Sequence, residues 1–293
     1  MGFFSKAKGK IKIVLFTALM CLSGGGTAAY LKYAVYDYAK NFSVVDNTLT
    51  GACFFGDSGE EGDMQESIAR LANASCKENF ILGDIIYETG LDDVDDPQFD
   101  TKFFNIFGHV PSNLVLGNHD VIHKGSAGYM LKRAEKYPNV HFPNYFWTKA
   151  YADACVIGID SNIYTGGKVD FLEVLQTNHV RKSIADERCK GKLLILIDHH
   201  PYISSGQHGN SSGPLKKFYE NEVLDKVDFI LSGHDHNLSD EGFVGAKKRT
   251  RQYVSGASST LRDCKTDNPK CMSIPGILQY VGRREGFTFL TYL

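Results

Sequence analysis

Along the chain, short apolar runs alternate with longer stretches in which apolar residues recur every three or four positions. Continuous apolar runs bounded by polar residues predict strands over Gly51–Phe55, Asn79–Leu82, Leu114–Leu116, Ala154–Ile159, Leu193–Ile197 and Val227–Leu231, because a strand covered on both faces carries no polar side. Helical periodicity predicts helices over Asp63–Ala74, Phe99–Ile106, Gly128–Lys136, Val169–Ile184 and Pro214–Leu224. Strands that alternate with helices imply an α/β layered domain. The last part of the chain, Gln252–Val254, Leu278–Val281 and Phe287–Tyr292, is strand-rich without a long helical pattern. It is expected to close a second sheet against the first. No internal repeat and no dividing linker interrupts the pattern.

The polar residues that follow these runs change the picture. Gly56-Asp57-Ser58-Gly59, Gly83-Asp84-Ile85-Ile86-Tyr87, Gly117-Asn118-His119-Asp120, His199-His200-Pro201 and Gly233-His234-Asp235-His236 each come directly after an apolar run. Sites in open α/β sheets form outside the carboxyl ends of strands, so five segments can converge on one rim. Glycine before Asp57, Asp84, Asn118 and His234 suits the tight turns this requires. The set offers carboxylates, a phenol, an amide and several imidazoles. That is more than one metal ion needs, and it fits two ions sharing a bridging carboxylate and acting on a phosphate ester. His234 and His236, two apart on an extended segment, face the same side.

In this order the motifs resemble the purple acid phosphatases of the small tartrate-resistant type, a branch of the calcineurin-like metallophosphoesterases. The resemblance runs from about Leu49 to Leu293 and is marked above all by Tyr87, three residues after Asp84, and by the opening Gly-Asp-Ser-Gly. It implies a four-layer α/β/β/α sandwich with two mixed sheets and helices on the outer faces. It assigns Asp57, Tyr87 and His236 to a first metal and Asn118, His199 and His234 to a second, with Asp84 bridging. The implied centre is Fe(III) with Fe(II), Zn(II) or Mn(II), since phenolate is a hard anionic ligand suited to ferric iron. The anionic ligands do not fully neutralise such a pair, and the remaining positive charge favours a phosphate dianion. His119, and His208 nine residues after His199, are the implied catalytic histidines for leaving-group protonation. The His-x-Pro pattern selects His199 and turns His200 away from the metals. Val121 stands where the family often has a further histidine, and Ile85-Ile86 replaces a more polar, aromatic pair. The implied activity is that of an acid phosphatase on phosphate monoesters. The alternatives are a phosphodiesterase or nucleotide pyrophosphatase on the same scaffold, or a non-catalytic metal- or phosphate-binding surface protein.

Composition and charge narrow the setting. Hydrophobic residues make up 43% of the 293, which argues for a folded core rather than disorder. Lys6, Lys8, Lys10 and Lys12 are the charged residues of the first 28, so removing them from a formal net charge of −2 leaves −6 for the rest. A mildly acidic body argues against nonspecific nucleic-acid binding. The basic start, the apolar run Ile13 to Leu22 and the small residues Gly24 to Ala29 form a signal peptide, or an anchor if uncleaved, over residues 1–28. The catalytic domain is placed at 45–293. The expectations are a monomer outside the cytoplasm that contacts a membrane only through an uncleaved N-terminus and takes a small phosphomonoester. Six cysteines follow Cys21. Cys264 and Cys271 flank a short loop and are expected to pair; the other four are expected either as disulfides or as buried thiols.

Overall fold

The computed structural model describes residues 37–165, 171–284 and 287–293; the targeting segment over 1–28 and the first two positions of the helix expected at Val169–Ile184 lie outside them. Two sheets form the centre of the fold. The larger runs in the order β1 (Phe42–Val44), β6 (Trp147–Ala150), β7 (Ala154–Gly158), β8 (Leu193–Asp198), β9 (Phe229–Ser232), β11 (Thr250–Ser255), β10 (Leu238–Val244), β12 (Cys271–Met272). The smaller runs β14 (Phe287–Tyr292), β13 (Leu278–Arg284), β2 (Ala52–Phe55), β3 (Glu78–Leu82), β4 (Ser112–Val115), β5 (Val140–His141). In each, a parallel block (β7-β8-β9-β11 and β2-β3-β4-β5) is flanked by antiparallel strands, so both sheets are mixed.

Side-chain alternation explains the layering. Phe54 and Phe80 stack at 4.7 Å between ring centroids and, with Leu82 and Val115, meet Trp147, Val156, Ile195 and Ile197 of the other sheet. Their sequence neighbours Phe55 and Ile81 point the opposite way. They pack under α1 (Asp63–Ser75), α2 (Asn105–Phe107) and α3 (Ser126–Ala134) through Ile68, Ala72, Phe107 and Met130. On the other side, Thr148 of β6 points outward to His179 and Ser183 of α4 (Phe171–Ile184). Beyond α4, α5 (Gly213–Phe218) leads into a wide turn over Tyr219–Val223, whose Tyr219 bonds Asp198 of β8. The result is the expected α/β/β/α sandwich.

One expectation is corrected. The C-terminal strands do not make one sheet of their own: β10, β11 and β12 extend the larger sheet, whereas β13 and β14 extend the smaller one beside β2. A local pattern gives strand propensity, but partner choice is set by long-range register. The six cysteines after Cys21 pair as Cys53–Cys76, Cys155–Cys189 and Cys264–Cys271, so the expected pair forms and, of the two outcomes left open for the other four, the disulfides hold. The first two tie a strand to the segment that follows a covering helix, and each cross-link contributes on the order of 3 kcal/mol by restricting the unfolded chain. Among the described residues, no helix is long and apolar enough to cross a membrane.

Candidate metal centre

The candidate ligands lie at the carboxyl ends of five strands drawn from both sheets. Asp57, Asp84 and Asn118 follow β2, β3 and β4; His199 and His234 follow β8 and β9. The backbone turns sharply there. Asp57, Asp84 and His234 hold φ of 57°, 52° and 70°, in the left-handed region that side-chain-bearing residues disfavour. Gly83 precedes Asp84 at φ 85°, and a Cβ there would lie 2.6 Å from the Gly117 nitrogen and 2.7 Å from Nδ1 of His199. At Gly117 a Cβ would sit 2.1 Å from Oδ1 of Asp84. These contacts leave room only for glycine and let the loops approach closely.

The side chains form two groups with a shared member. In the first, the Tyr87 hydroxyl lies 3.2 Å from Oδ1 of Asp57, 2.9 Å from Oδ2 of Asp84 and 3.4 Å from Nε2 of His236. In the second, Nε2 of His199 lies 3.0 Å from Oδ1 of Asn118, 3.1 Å from Nδ1 of His234 and 3.3 Å from Oδ2 of Asp84. Asp84 belongs to both. All seven sequence-derived ligand candidates are therefore brought together. His119 and His208 flank them: the His119 ring lies 4.4 Å from that of Tyr87, and the His208 ring stacks on His234 at 4.1 Å.

Electrostatics test whether cations belong here. Asp57 and Asp84 are almost wholly excluded from solvent. Burial pushes the Asp57 carboxyl well above the usual range, against the pull of His199 and with the repulsion of Asp84. Burial acts the same way on Asp84, but His199 and His119 outweigh it and hold that carboxyl low. Burial, then Asp57 and Asp84, pushes the Tyr87 phenol far up. For His199, burial is overcome by the two carboxylates, and its value rises to about 10. Burial and the positive His199 push His234 far down. Three acidic groups and several imidazoles thus compete for protons in one dry space. Metal ions replacing those protons satisfy every donor at once, so the residues fit a binuclear centre.

A surrounding layer fixes the loops. Oδ1 of Asp120 accepts from the amides of Ile85 and Ile86, both at 2.9 Å, and Oδ2 accepts from Gly117 at 2.8 Å. One buried carboxylate thereby joins the Asp84 and Asn118 loops. Asp235 does the same elsewhere, accepting from the His208 amide at 2.8 Å and from the Ser204 hydroxyl. His199 is oriented by Nδ1 on the Leu82 carbonyl and His236 by Nδ1 on Thr260. The Arg262 amide donates to the His236 carbonyl and its guanidinium donates to Nε2 of His208. Sequence reasoning missed Arg262, which no motif contains; Asp120 and Asp235 stood inside motifs without a role.

His200 departs from expectation. The His-x-Pro pattern does not turn it away: the residue lies beyond the end of β8 at Asp198, and its ring is 4.4 Å from that of His234. The remaining histidines lie elsewhere. His123 bonds the Leu91 carbonyl, His141 packs edge-on against Trp147, His179 is buried under β6, and His109 is exposed.

Comparison with known proteins agrees with this geometry. Residues 53–238 match the family model of the calcineurin-like phosphoesterases. Tartrate-resistant acid phosphatase type 5 of rabbit (Oryctolagus cuniculus) is 28% identical over 240 residues, covering 71% of this chain and 70% of that protein. Among solved structures, GAP50, the anchor in the inner membrane complex of Plasmodium, superposes with a TM-score of 0.64 at 19% identity over 78% of this chain and 79% of that one. A purple acid phosphatase from yellow lupin (Lupinus luteus) seeds gives 0.59 at 14% identity over 80% of this chain and 49% of the lupin chain. The two structural likenesses bear on the fold alone.

Proposed function

The chain belongs to the calcineurin-like phosphoesterase family, and on that premise we propose that it is an acid phosphatase that hydrolyses phosphate monoesters at a binuclear centre of Fe(III) with Fe(II), Zn(II) or Mn(II). The observation that carries this reading is the Tyr87 hydroxyl held within hydrogen-bond reach of both Asp57 and Asp84. A phenol placed among buried carboxylates is a poor arrangement for protons and a good one for a trivalent ion, which suits hard anionic oxygen donors.

Asp57, Tyr87 and His236 would hold one ion, and Asn118, His199 and His234 the other, with Asp84 between them. When bound, the pair supplies Lewis acidity toward the phosphoryl oxygens and lowers the pKa of a coordinated water. The chain's own residues orient the ester. His119 has Nδ1 on the Glu88 carbonyl at 2.7 Å, which leaves Nε2 to reach a phosphate or leaving-group oxygen. His208 stacks over His234. Arg262 adds a fixed positive charge beside it, complementary to a phosphate dianion. A proton delivered by His119 or His208 would turn the departing alkoxide into an alcohol.

Three disulfides support a setting outside the reducing cytoplasm, in line with export through residues 1–28. The mature protein is then a monomer acting on small phosphomonoesters. The deciding experiment is metal analysis of the purified protein together with rates on a monoester, a diester and a pyrophosphate. Two metals with a dominant monoester rate support the proposal. A dominant diester or pyrophosphate rate replaces the substrate class, and bound metals without turnover assign a binding role.

A further inference from the structure

An additional imidazole reaches the second half of the centre. His199, His200 and His234 each offer a ligand atom, and these atoms lie within 4.8 Å of one another. The His200 ring centroid is 5.0 Å from that of His199 and 4.4 Å from that of His234. Its position is fixed from behind. Nδ1 bonds Ser161 Oγ at 2.8 Å, and the same hydroxyl oxygen accepts from the His200 amide at 3.1 Å. One ring nitrogen pinned by a polar partner while the other stays available is the arrangement that orients ligating histidines. His199 and His236 show it in this chain through Leu82 and Thr260. Among the described residues, no hydrogen bond engages Nε2 of His200. The residue is only partly exposed to solvent.

We propose that His200 is a further protein ligand of the second metal position, beside Asn118, His199 and His234, and that the three imidazoles select Zn(II) there over Mn(II) or Fe(II). This rests on the binuclear reading above. Asn118, His199 and His234 alone would give that ion two nitrogens and an amide oxygen besides the Asp84 carboxylate, a set that oxygen-preferring ions tolerate. A third imidazole makes nitrogen the majority donor. Imidazole suits zinc, and for a nitrogen-rich site affinity rises from Mn(II) through Fe(II) toward the end of the first-row series. The added ligand is neutral, so it changes which ion is preferred while leaving the site's charge unaltered.

The test measures metal binding directly, on protein reconstituted with Fe(III) and then titrated with Zn(II) or Mn(II) against a chromophoric chelator. His200→Phe is compared with the native protein, and Ser161→Ala serves as a second variant that keeps the ring but removes its anchor. We expect His200→Phe to weaken Zn(II) binding at the second position at least tenfold and to narrow the preference for Zn(II) over Mn(II). Ser161→Ala should move both quantities the same way by a smaller factor. Zinc X-ray absorption should show one imidazole fewer in His200→Phe. The assignment is overturned if both variants, folded by circular dichroism, keep Zn(II) affinity and the Zn(II)-to-Mn(II) ratio within twofold of native. It is equally overturned if those quantities hold while KM for a monoester rises, which places His200 against the substrate. Native protein that takes up fewer than two metals overturns the binuclear reading, and this one with it.

Discussion

The guanidinium of Arg262 donates a hydrogen bond to Nε2 of His208. A guanidinium has no acceptor, so that nitrogen carries no proton while the contact lasts. Arg262 must turn to another anion before His208 can act as an acid through Nε2, and the phosphate of the substrate is the group that would draw it away. Arg262→Ala should lower kcat/KM for a phosphate monoester by about 10–100-fold, the range expected for a charge-assisted hydrogen bond, with metal content unchanged. Arg262→Lys should recover part of the loss. His119→Ala should slow an alkyl phosphate more than an activated aryl phosphate, because a good leaving group needs little protonation. Equal slowing of both substrates would leave His119 a phosphate-binding role alone.

Tyr87 gives an optical test. A phenolate bound to ferric iron absorbs in the visible by charge transfer, so the purified protein should be coloured. Tyr87→Phe should be colourless, with near-native circular dichroism, because only the hydroxyl meets Asp57 and Asp84. A colourless native protein holding two zinc ions would remove iron from the assignment.

Asp84 is the side chain common to both groups of ligands. Asp84→Asn keeps the shape but removes the anion between two cations, which raises their mutual repulsion. It should lose more metal than a single change at Asp57, Asn118, His199, His234 or His236. Metal analysis after dialysis reads this out, and full retention of both ions would show that Asp84 is no bridge.

Far from the centre, His179 and His141 make stability depend on pH. Burial pulls each down to about 4, whereas an unfolded histidine titrates near 6.5. Above about 6.5 both states are neutral and nothing changes. Between about 6.5 and 4 the unfolded chain binds protons that the folded one refuses, so stability falls as pH falls, by up to about 3 kcal/mol for each histidine. His179→Gln should flatten denaturation midpoints across that window relative to the native protein. Parallel curves for the two would show that His179 does not resist protonation.

Much of this was legible in the sequence, for a physical reason. Asp57, Asp84, Asn118, His199 and His234 follow strands buried on both faces, whose unbroken apolar runs are easy to recognise. β10, Leu238–Val244, was missed because it mixes Ser239, Asp240 and Glu241 with its apolar residues. β6 was missed because Lys149 breaks its run and pairs instead with Glu78 of the other sheet. Arg262 escaped because its contact crosses 54 residues to reach His208, and no local periodicity encodes such a pair. The place of His200 escaped because the His-x-Pro pattern singles out His199, whereas the chain has left β8 at Asp198 and the His200 ring lies beside His234 as well.

The site's division between two sheets also sets a timetable. The candidate ligands run from Asp57 to His236, nearly 180 residues apart in the chain. At a synthesis rate of about 5–20 residues per second, the first carboxylate waits roughly 10–40 s for the last imidazole. No earlier fragment holds the constellation, since Asp57, Asp84 and Asn118 come from one sheet and His199 and His234 from the other. Metal uptake is therefore a finishing step of biogenesis, taken after the sandwich has closed. The ions within reach at that moment, wherever the chain completes its folding, decide the composition of the centre as much as the ligands do.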